Sequence, residues 1–146
     1  MYRKRKGTFE VFLVHPGGPY WAKKDLGAWS IPKGEYGEDE DPLQAAIREF
    51  QEETGFVVAG DFRGLGDLKQ AGGKLVAAWA FEGDCDPNKL KSNTFQMEWP
   101  PHSGTQIEFP EVDRGSWFAV DEARQRILKS QEPFLDRLLQ QLQSTE

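Results

Sequence analysis

The sequence predicts a mixed α/β protein whose β-sheet is covered by helices on both faces. Three observations support this prediction. Apolar and alternating segments typical of strands come first, a strongly signalled helix lies mid-chain, and two helical segments close the sequence. No internal repeat or linker interrupts the 146 residues, a length usual for one domain. We therefore expect residues 1–146 to form a single domain.

The strand predictions come from short apolar runs bounded by glycine, proline and other turn residues. The first run ends at a Pro-Gly-Gly-Pro loop, and a Gly-Gly pair turns the chain between the two strands that follow the central helix. The basic run at 3–6 is interpreted as a solvated tail before the first strand. The predicted strands are 8–15, 29–31, 57–59, 62–69, 74–81, 94–99 and 116–120.

The central helix has signals at both ends. Asp41 is suited to cap it, Pro42 suits the first helical position, and Gly55 is placed to end it. Its apolar positions predict a stripe that faces the core. They are Leu43, Ala46, Ile47 and Phe50.

Two further helices are predicted near the end of the chain. Asp121 is expected to cap the first, which would run to about residue 129. Pro133 opens the second, and its leucines and one phenylalanine recur at helical spacing. The expected core side of that last helix consists of Phe134, Leu135, Leu138, Leu139 and Leu142.

Three glutamates crowd one face of the predicted central helix. Glu49, Glu52 and Glu53 stand at i, i+3 and i+4, so their carboxylates project within roughly a 100° arc. Like charges this close repel one another, and a hard divalent cation such as Mg²⁺ or Mn²⁺ relieves that repulsion. Arg48 is placed to reach Glu52 or Glu40 and to orient a carboxylate without touching the metal. The sequence therefore predicts a metal site on this helix.

The segment 34–56, which reads GEYGEDEDPLQAAIREFQEETGF, resembles the complete Nudix box. The approach Trp-Ser-Ile-Pro-Lys also resembles the strand and loop that lead into that box. The resemblance implies an α/β/α sandwich with a mixed sheet that hydrolyses nucleoside diphosphates linked to another moiety. The matching positions are Gly34, Glu40, Arg48, Glu49, Phe50, Glu52, Glu53, Gly55 and Phe56.

The resemblance also implies roles for these residues. Glu52 and Glu53 are expected metal ligands, joined by the Gly34 carbonyl, and Glu49 is either a further ligand or the general base. Glu40 supports the site through Arg48 or water. Another acidic ligand is expected from a later loop before an aromatic strand. Our choice is Glu111, six residues before Trp117, with Glu108 and Glu98 as competitors.

Substrate recognition leaves fewer marks on the sequence. Lys33 precedes Gly34 and is a candidate phosphate contact. Trp79 and Trp99 are candidates for stacking on a nucleobase, and Trp99 begins an irregular Trp-Pro-Pro-His segment suited to a pocket lip. The other aromatic candidates are Tyr20, Phe81 and Phe95.

Three functions remain open from the sequence. The leading hypothesis is a Mg²⁺- or Mn²⁺-dependent nucleoside triphosphate pyrophosphohydrolase. The second is a dinucleoside polyphosphate hydrolase, because the Pro-Lys-Gly approach resembles that branch. The third, a non-catalytic nucleotide-binding module, fits less well because no glutamate of the box is lost.

Composition narrows the partners. The net charge is −6, with no broad basic surface expected, so nucleic acid is not a predicted partner. A single cysteine and no apolar stretch near the ~20 residues of a membrane helix predict a cytoplasmic protein without a membrane partner. A nucleotide substrate is the expected ligand, and the family resemblance implies that a homodimer is possible.

Overall fold

A computed structural model describes residues 1–33, 39–70 and 73–144. Within them, seven strands pair in three antiparallel groups, ordered β1-β2-β7, β3-β4 and β5-β6. Single parallel bridges join Tyr2 to Glu82 and Trp29 to Ile127, which makes the whole arrangement mixed. The strands are β1 Tyr2–Arg5, β2 Thr8–Pro16, β3 Arg63–Lys69, β4 Leu75–Ala80, β5 Thr94–Glu98, β6 Gln106–Pro110 and β7 Val112–Ala119.

Three α-helices accompany these strands: α1 Pro42–Thr54, α2 Val120–Arg126 and α3 Glu132–Ser144. Short 3-10 turns lie at Pro87–Lys89 and Lys129–Gln131. None of the helices in the described part of the chain is long and apolar enough to cross a membrane. The mixed α/β class predicted from the sequence is confirmed.

The main core lies where β2, β4, α2 and α3 meet. Leu13 from β2 and Ile127 after α2 are almost fully buried, and α3 contributes Phe134, Leu135, Leu138 and Leu142. A smaller cluster forms around Phe12, Val14 and Val112 on the other side of β2. Since β2 alternates its side chains between these two clusters, it is buried on both faces.

Several strand predictions are confirmed, and others are wrong. Residues 57–59 are not a strand, and 29–31 contribute only single bridges. β6 occupies a stretch predicted as loop. The basic run is not a free tail, because it forms β1, where Arg3 bonds Glu10 at 2.8 Å and Asp84 at 2.7 Å. Arg3, Lys4 and Arg5 of this run pair with β2, together with Tyr2, although the basic side chains give no strand pattern.

The two later helices follow the prediction in part. Asp121 does not cap α2, because the helix begins at Val120 and Ala119 stands at the cap position. Asp121 instead lies in the first turn, and α2 ends at Arg126 rather than near 129. In α3 the expected apolar side is buried, except that Leu139 is only partly covered.

Candidate functional site

Helix α1 begins and ends as the sequence predicts. The Asp41 carboxylate accepts a hydrogen bond from the Gln44 amide at 3.1 Å, and Pro42 occupies the first turn. Gly55 ends the helix with φ 77°, a left-handed conformation that glycine adopts without steric cost. These local signals fix where the helix stops, so they also fix where its last-turn glutamates point.

Arg48 gathers three carboxylates around its guanidinium. It donates to both oxygens of Glu40 at 2.9 Å, to Glu49 at 2.8 Å and to Glu52 at 3.2 Å. The hydrogen bonds that Arg48 donates to Glu40 and Glu52 raise its pKa above the ordinary value. The guanidinium thus holds Glu40, from the loop before α1, against two glutamates of the helix.

Glu53, the last glutamate of the helix, is buried, with 7% of its surface exposed. Burial raises its pKa to about 8, and the charges of Glu111 and Glu49 add to the increase. The Lys33 backbone amide donates a hydrogen bond to its carboxylate and works in the opposite direction. A carboxylate in this environment is stabilised either by a proton or by a cation.

Glu111 lies between β6 and β7, close enough for its charge to raise the pKa of both Glu53 and Glu49. For Glu49 the first cause of the increase is burial, and Arg48 opposes it. The structure therefore brings Glu111 to the acidic face of α1, although almost 60 residues separate them in the sequence.

The two competing acids lie elsewhere on the β5-β6 hairpin. Glu108 is opposite Gln96 in that hairpin, and Glu98 accepts a hydrogen bond from the His102 amide at 2.7 Å. Of the three acids, Glu111 is the one found among the main causes of the raised pKa of Glu49 and Glu53. We therefore keep Glu111 as the predicted distal ligand.

Lys33 and Trp79 line one cavity of about 510 Å³. Its walls include the apolar residues of α1 that were predicted to face the core, and three of those four are only half-buried. Phe50 is buried as predicted, and Ala45 is buried beside it. Trp99 does not line this cavity but packs edge-on against Tyr20, with ring centroids 5.4 Å apart.

The donor set suits a hard divalent cation because every acidic side chain at the site offers carboxylate oxygen. As the side chains stand, no three acidic, histidine or cysteine groups in the described part of the chain converge on one ion position. Arg48 explains part of this arrangement, since its guanidinium takes Glu49 and Glu52. Gly34 lies outside the described residues, so its predicted role stays a prediction.

Sequence reasoning missed the supports of Glu111. The Gly17 amide donates to the Glu111 carbonyl at 2.8 Å, and the Glu111 amide donates to the Asn93 carbonyl at 2.9 Å. The Asn93 amide in turn donates to the Glu52 carbonyl at 2.8 Å. These are backbone contacts between distant segments, and no side-chain motif reports them.

The mixed α/β fold and the acidic end of α1 agree with the class of proteins that the sequence resembles. The chain is a member of the Nudix family, since the model of the NUDIX domain matches residues 2–140. Membership makes it a pyrophosphohydrolase, a hydrolase that acts on phosphorus-containing anhydrides. A comparison with curated proteins finds no match.

Solved structures share the fold over nearly the whole chain. An Ap4A hydrolase from C. elegans in a binary complex is 22% identical, with a TM-score of 0.67, and covers 98% of this chain and 94% of its own. The NUDIX domain of Shewanella oneidensis NrtR, complexed with ADP ribose, is 17% identical at TM-score 0.65, with coverages of 97% and 82%. A mutT/nudix family protein from Listeria innocua is 16% identical at TM-score 0.60, with coverages of 99% and 88%.

Proposed function

We propose that this protein hydrolyses the pyrophosphate bond of nucleotides with Mg²⁺ or Mn²⁺, and that nucleoside triphosphates are its first substrate class. One observation carries the proposal. The acidic face of α1 gains Glu111 from a distant segment, and this extra charge raises the pKa of the buried Glu53. A buried carboxylate beside further acidic groups is costly for a fold unless a proton or a cation stabilises it, and the proposal is that a metal cation does so during catalysis.

The metal would be held by Glu52, Glu53 and the Gly34 carbonyl, with Glu111 completing the set and Glu49 a candidate further ligand. When bound, a divalent metal neutralises phosphoryl oxygens and lowers the pKa of coordinated water. The proposed side-chain ligands lie on the last two turns of α1 or on the segment that is hydrogen-bonded to it.

The chain's own groups would handle the proton. Glu49 is the candidate general base because only 13% of its side chain is exposed and its pKa is raised. Arg48 orients Glu49 through the 2.8 Å hydrogen bond, and Glu40 holds the far side of the guanidinium. A base held in one direction accepts a proton more effectively than a mobile one.

The organic part of the substrate is proposed to enter the cavity that Lys33 and Trp79 line. The Lys33 amide bonds Glu53 while its residue borders this cavity, so the cavity starts next to the acidic cluster. An ammonium there suits a phosphate, and an indole offers a stacking face to a base. Trp99 would then contribute only at the outer lip, on the side of Tyr20.

A second candidate substrate is a dinucleoside polyphosphate. Two observations favour it: the Pro-Lys-Gly approach at 32–34, and a fold shared with an Ap4A hydrolase. The bond broken and the carboxylates used would be the same in both cases.

Product analysis in ¹⁸O-water tests both candidates with the wild-type protein. Mononucleotide and pyrophosphate from a triphosphate, formed only with Mg²⁺ or Mn²⁺, would support the first candidate. Asymmetric cleavage of a dinucleotide at a much higher kcat/KM would replace it with the second. Absence of metal-dependent hydrolysis across a broad nucleotide panel would contradict the proposal.

The other partner predictions belong to this proposal. We infer a cytoplasmic enzyme whose single domain forms a homodimer. Light scattering coupled to size-exclusion chromatography measures the mass in solution, and a monomer at micromolar concentration would contradict the dimer.

A further inference from the structure

The segment 91–93 links the end of helix α1 to the backbone of Glu111. On the helix side, the Lys91 amide donates to the Thr54 carbonyl at 2.9 Å and the Asn93 amide donates to the Glu52 carbonyl at 2.8 Å. On the other side, the Asn93 carbonyl accepts the Glu111 amide at 2.9 Å. A single residue, Asn93, therefore connects the backbone of Glu52, a predicted ligand on the helix, to the backbone of Glu111, the predicted distal ligand.

The Ser92 hydroxyl reinforces this link with both of its hydrogen-bonding roles. It accepts the Val112 amide at 3.0 Å and donates to the Asn93 carbonyl at 2.7 Å. The two successive amides of Glu111 and Val112 are thus both bound by the segment 91–93.

Close contacts leave the link little freedom to shift. A methyl group added at Gly55 would come within 2.8 Å of the Lys91 carbonyl oxygen. A methyl group added at Gly17 would come within 1.9 Å of the Pro110 carbonyl oxygen, next to the Glu111 carbonyl that the Gly17 amide binds. Glu111 is therefore held from the side of β2 as well as from the side of α1.

We propose that Ser92 is a positioning residue that sets the distance between Glu111 and the glutamates of α1, and thereby the affinity of the metal site. This inference rests on the proposed role of Glu111 as a ligand. The Ser92 hydroxyl bonds the Asn93 carbonyl and the Val112 amide, so the role assigned to it runs through the backbone at 111–112. Its hydroxyl is the one side-chain group that joins the segment 91–93 to that backbone in the described hydrogen bonds.

The test measures binding of Mn²⁺ alone to the full chain by electron paramagnetic resonance of the free ion. Ser92→Ala should weaken Mn²⁺ binding about three- to tenfold, the effect of one lost hydrogen bond. A matched pair of variants separates the effect of the hydroxyl on Mn²⁺ affinity from the effect of side-chain shape. Ser92→Thr keeps the hydroxyl and should bind Mn²⁺ within about twofold of wild type. Ser92→Val has nearly the same shape without the hydroxyl and should bind as weakly as Ser92→Ala. This pair also serves if the alanine variant does not fold.

A double-mutant cycle with Glu111→Gln shows whether Ser92 acts through Glu111. Glu111→Gln alone should weaken Mn²⁺ binding, and adding Ser92→Ala should then cause no further loss. Equal losses in both backgrounds, or unchanged Mn²⁺ binding by Ser92→Val, would overturn the inference. Unchanged Mn²⁺ binding by Glu111→Gln would also overturn the inference. The proposed function is tested separately, because it would fail if the wild-type protein showed no metal-dependent hydrolysis.

Discussion

Helices α1 and α3 each contain 13 residues, yet they bury different chemistry. Helix α3 buries four large apolar side chains against the core. Helix α1 buries only Ala45 and Phe50 among its apolar residues, together with the polar Glu53 and Thr54. The comparison indicates that α3 holds the fold together, while α1 gives up packing to present carboxylates.

The largest expected effect is a loss of hydrolysis on changing one glutamate of α1, with the fold preserved. Glu53→Gln should lower metal-dependent hydrolysis at least about 100-fold, more than the loss of an outer contact usually costs. Glutamine keeps the acceptor for the Lys33 amide and removes the buried charge. Steady-state kinetics and thermal unfolding of the metal-free protein check both parts. A variant with normal turnover would remove Glu53 from the site.

A matched pair of leucines tests the other half of the comparison. Leu138→Ala in α3 should cost about 2–5 kcal/mol of unfolding free energy, because its side chain is 5% exposed and packed in the core. Leu43→Ala in α1 should cost less than about 1 kcal/mol, because Leu43 is only half-buried. Urea unfolding measures both values. Equal losses would show that α1 is packed as firmly as α3.

Arg48 offers an intermediate effect. Arg48→Ala should lower kcat about 10–100-fold, because Glu49 and Glu40 lose the group that joins them. Arg48→Lys keeps the charge but cannot bond several carboxylates in a planar fork, so its loss should be smaller but clear. Full activity in the lysine variant would mean that only the charge matters.

The smallest effect is a dependence of metal binding on pH. In the metal-free protein, the stability contributed by protonated Glu53 is present below its unfolded pKa near 4.5 and is lost as pH rises through about 8. A metal must displace that proton, while Glu49, Glu111 and the Lys33 amide around Glu53 stay in place. Millimolar Mg²⁺ should therefore raise Tm more at about pH 9 than at about pH 6. Glu53→Gln serves as the control and should lose this difference.

The sequence predicted what local chemistry decides. The limits of α1 depend on Asp41, Pro42 and Gly55, each of which acts within one turn, and all three are confirmed. β1 was missed because its side chains are polar, and it is held by pairing with β2 and by the ion pairs of Arg3. β6 was missed for a similar reason, since most of its side chains are exposed and only the hairpin partner defines it.

The candidate site also combines features that follow from local sequence with features that depend on contacts between distant segments. The helix acids follow from spacing in the sequence, and their orientation follows from α1 itself. The arrival of Glu111 depends on backbone hydrogen bonds from Gly17 and Asn93, which join segments far apart in the chain. No side-chain pattern encodes such contacts, so the sequence could favour Glu111 among the three candidate acids but could not predict the backbone contacts that hold it.

The guanidinium of Arg48 has a consequence for handling the protein. Because it already bonds Glu40, Glu49 and Glu52, these three carboxylates would keep a cationic partner after chelation of the metal, and Glu53 can take up a proton. Enzyme treated with EDTA should therefore stay folded through storage. The enzyme should recover its turnover when a divalent metal is added back. One divalent metal should then be able to replace another when the available metal changes.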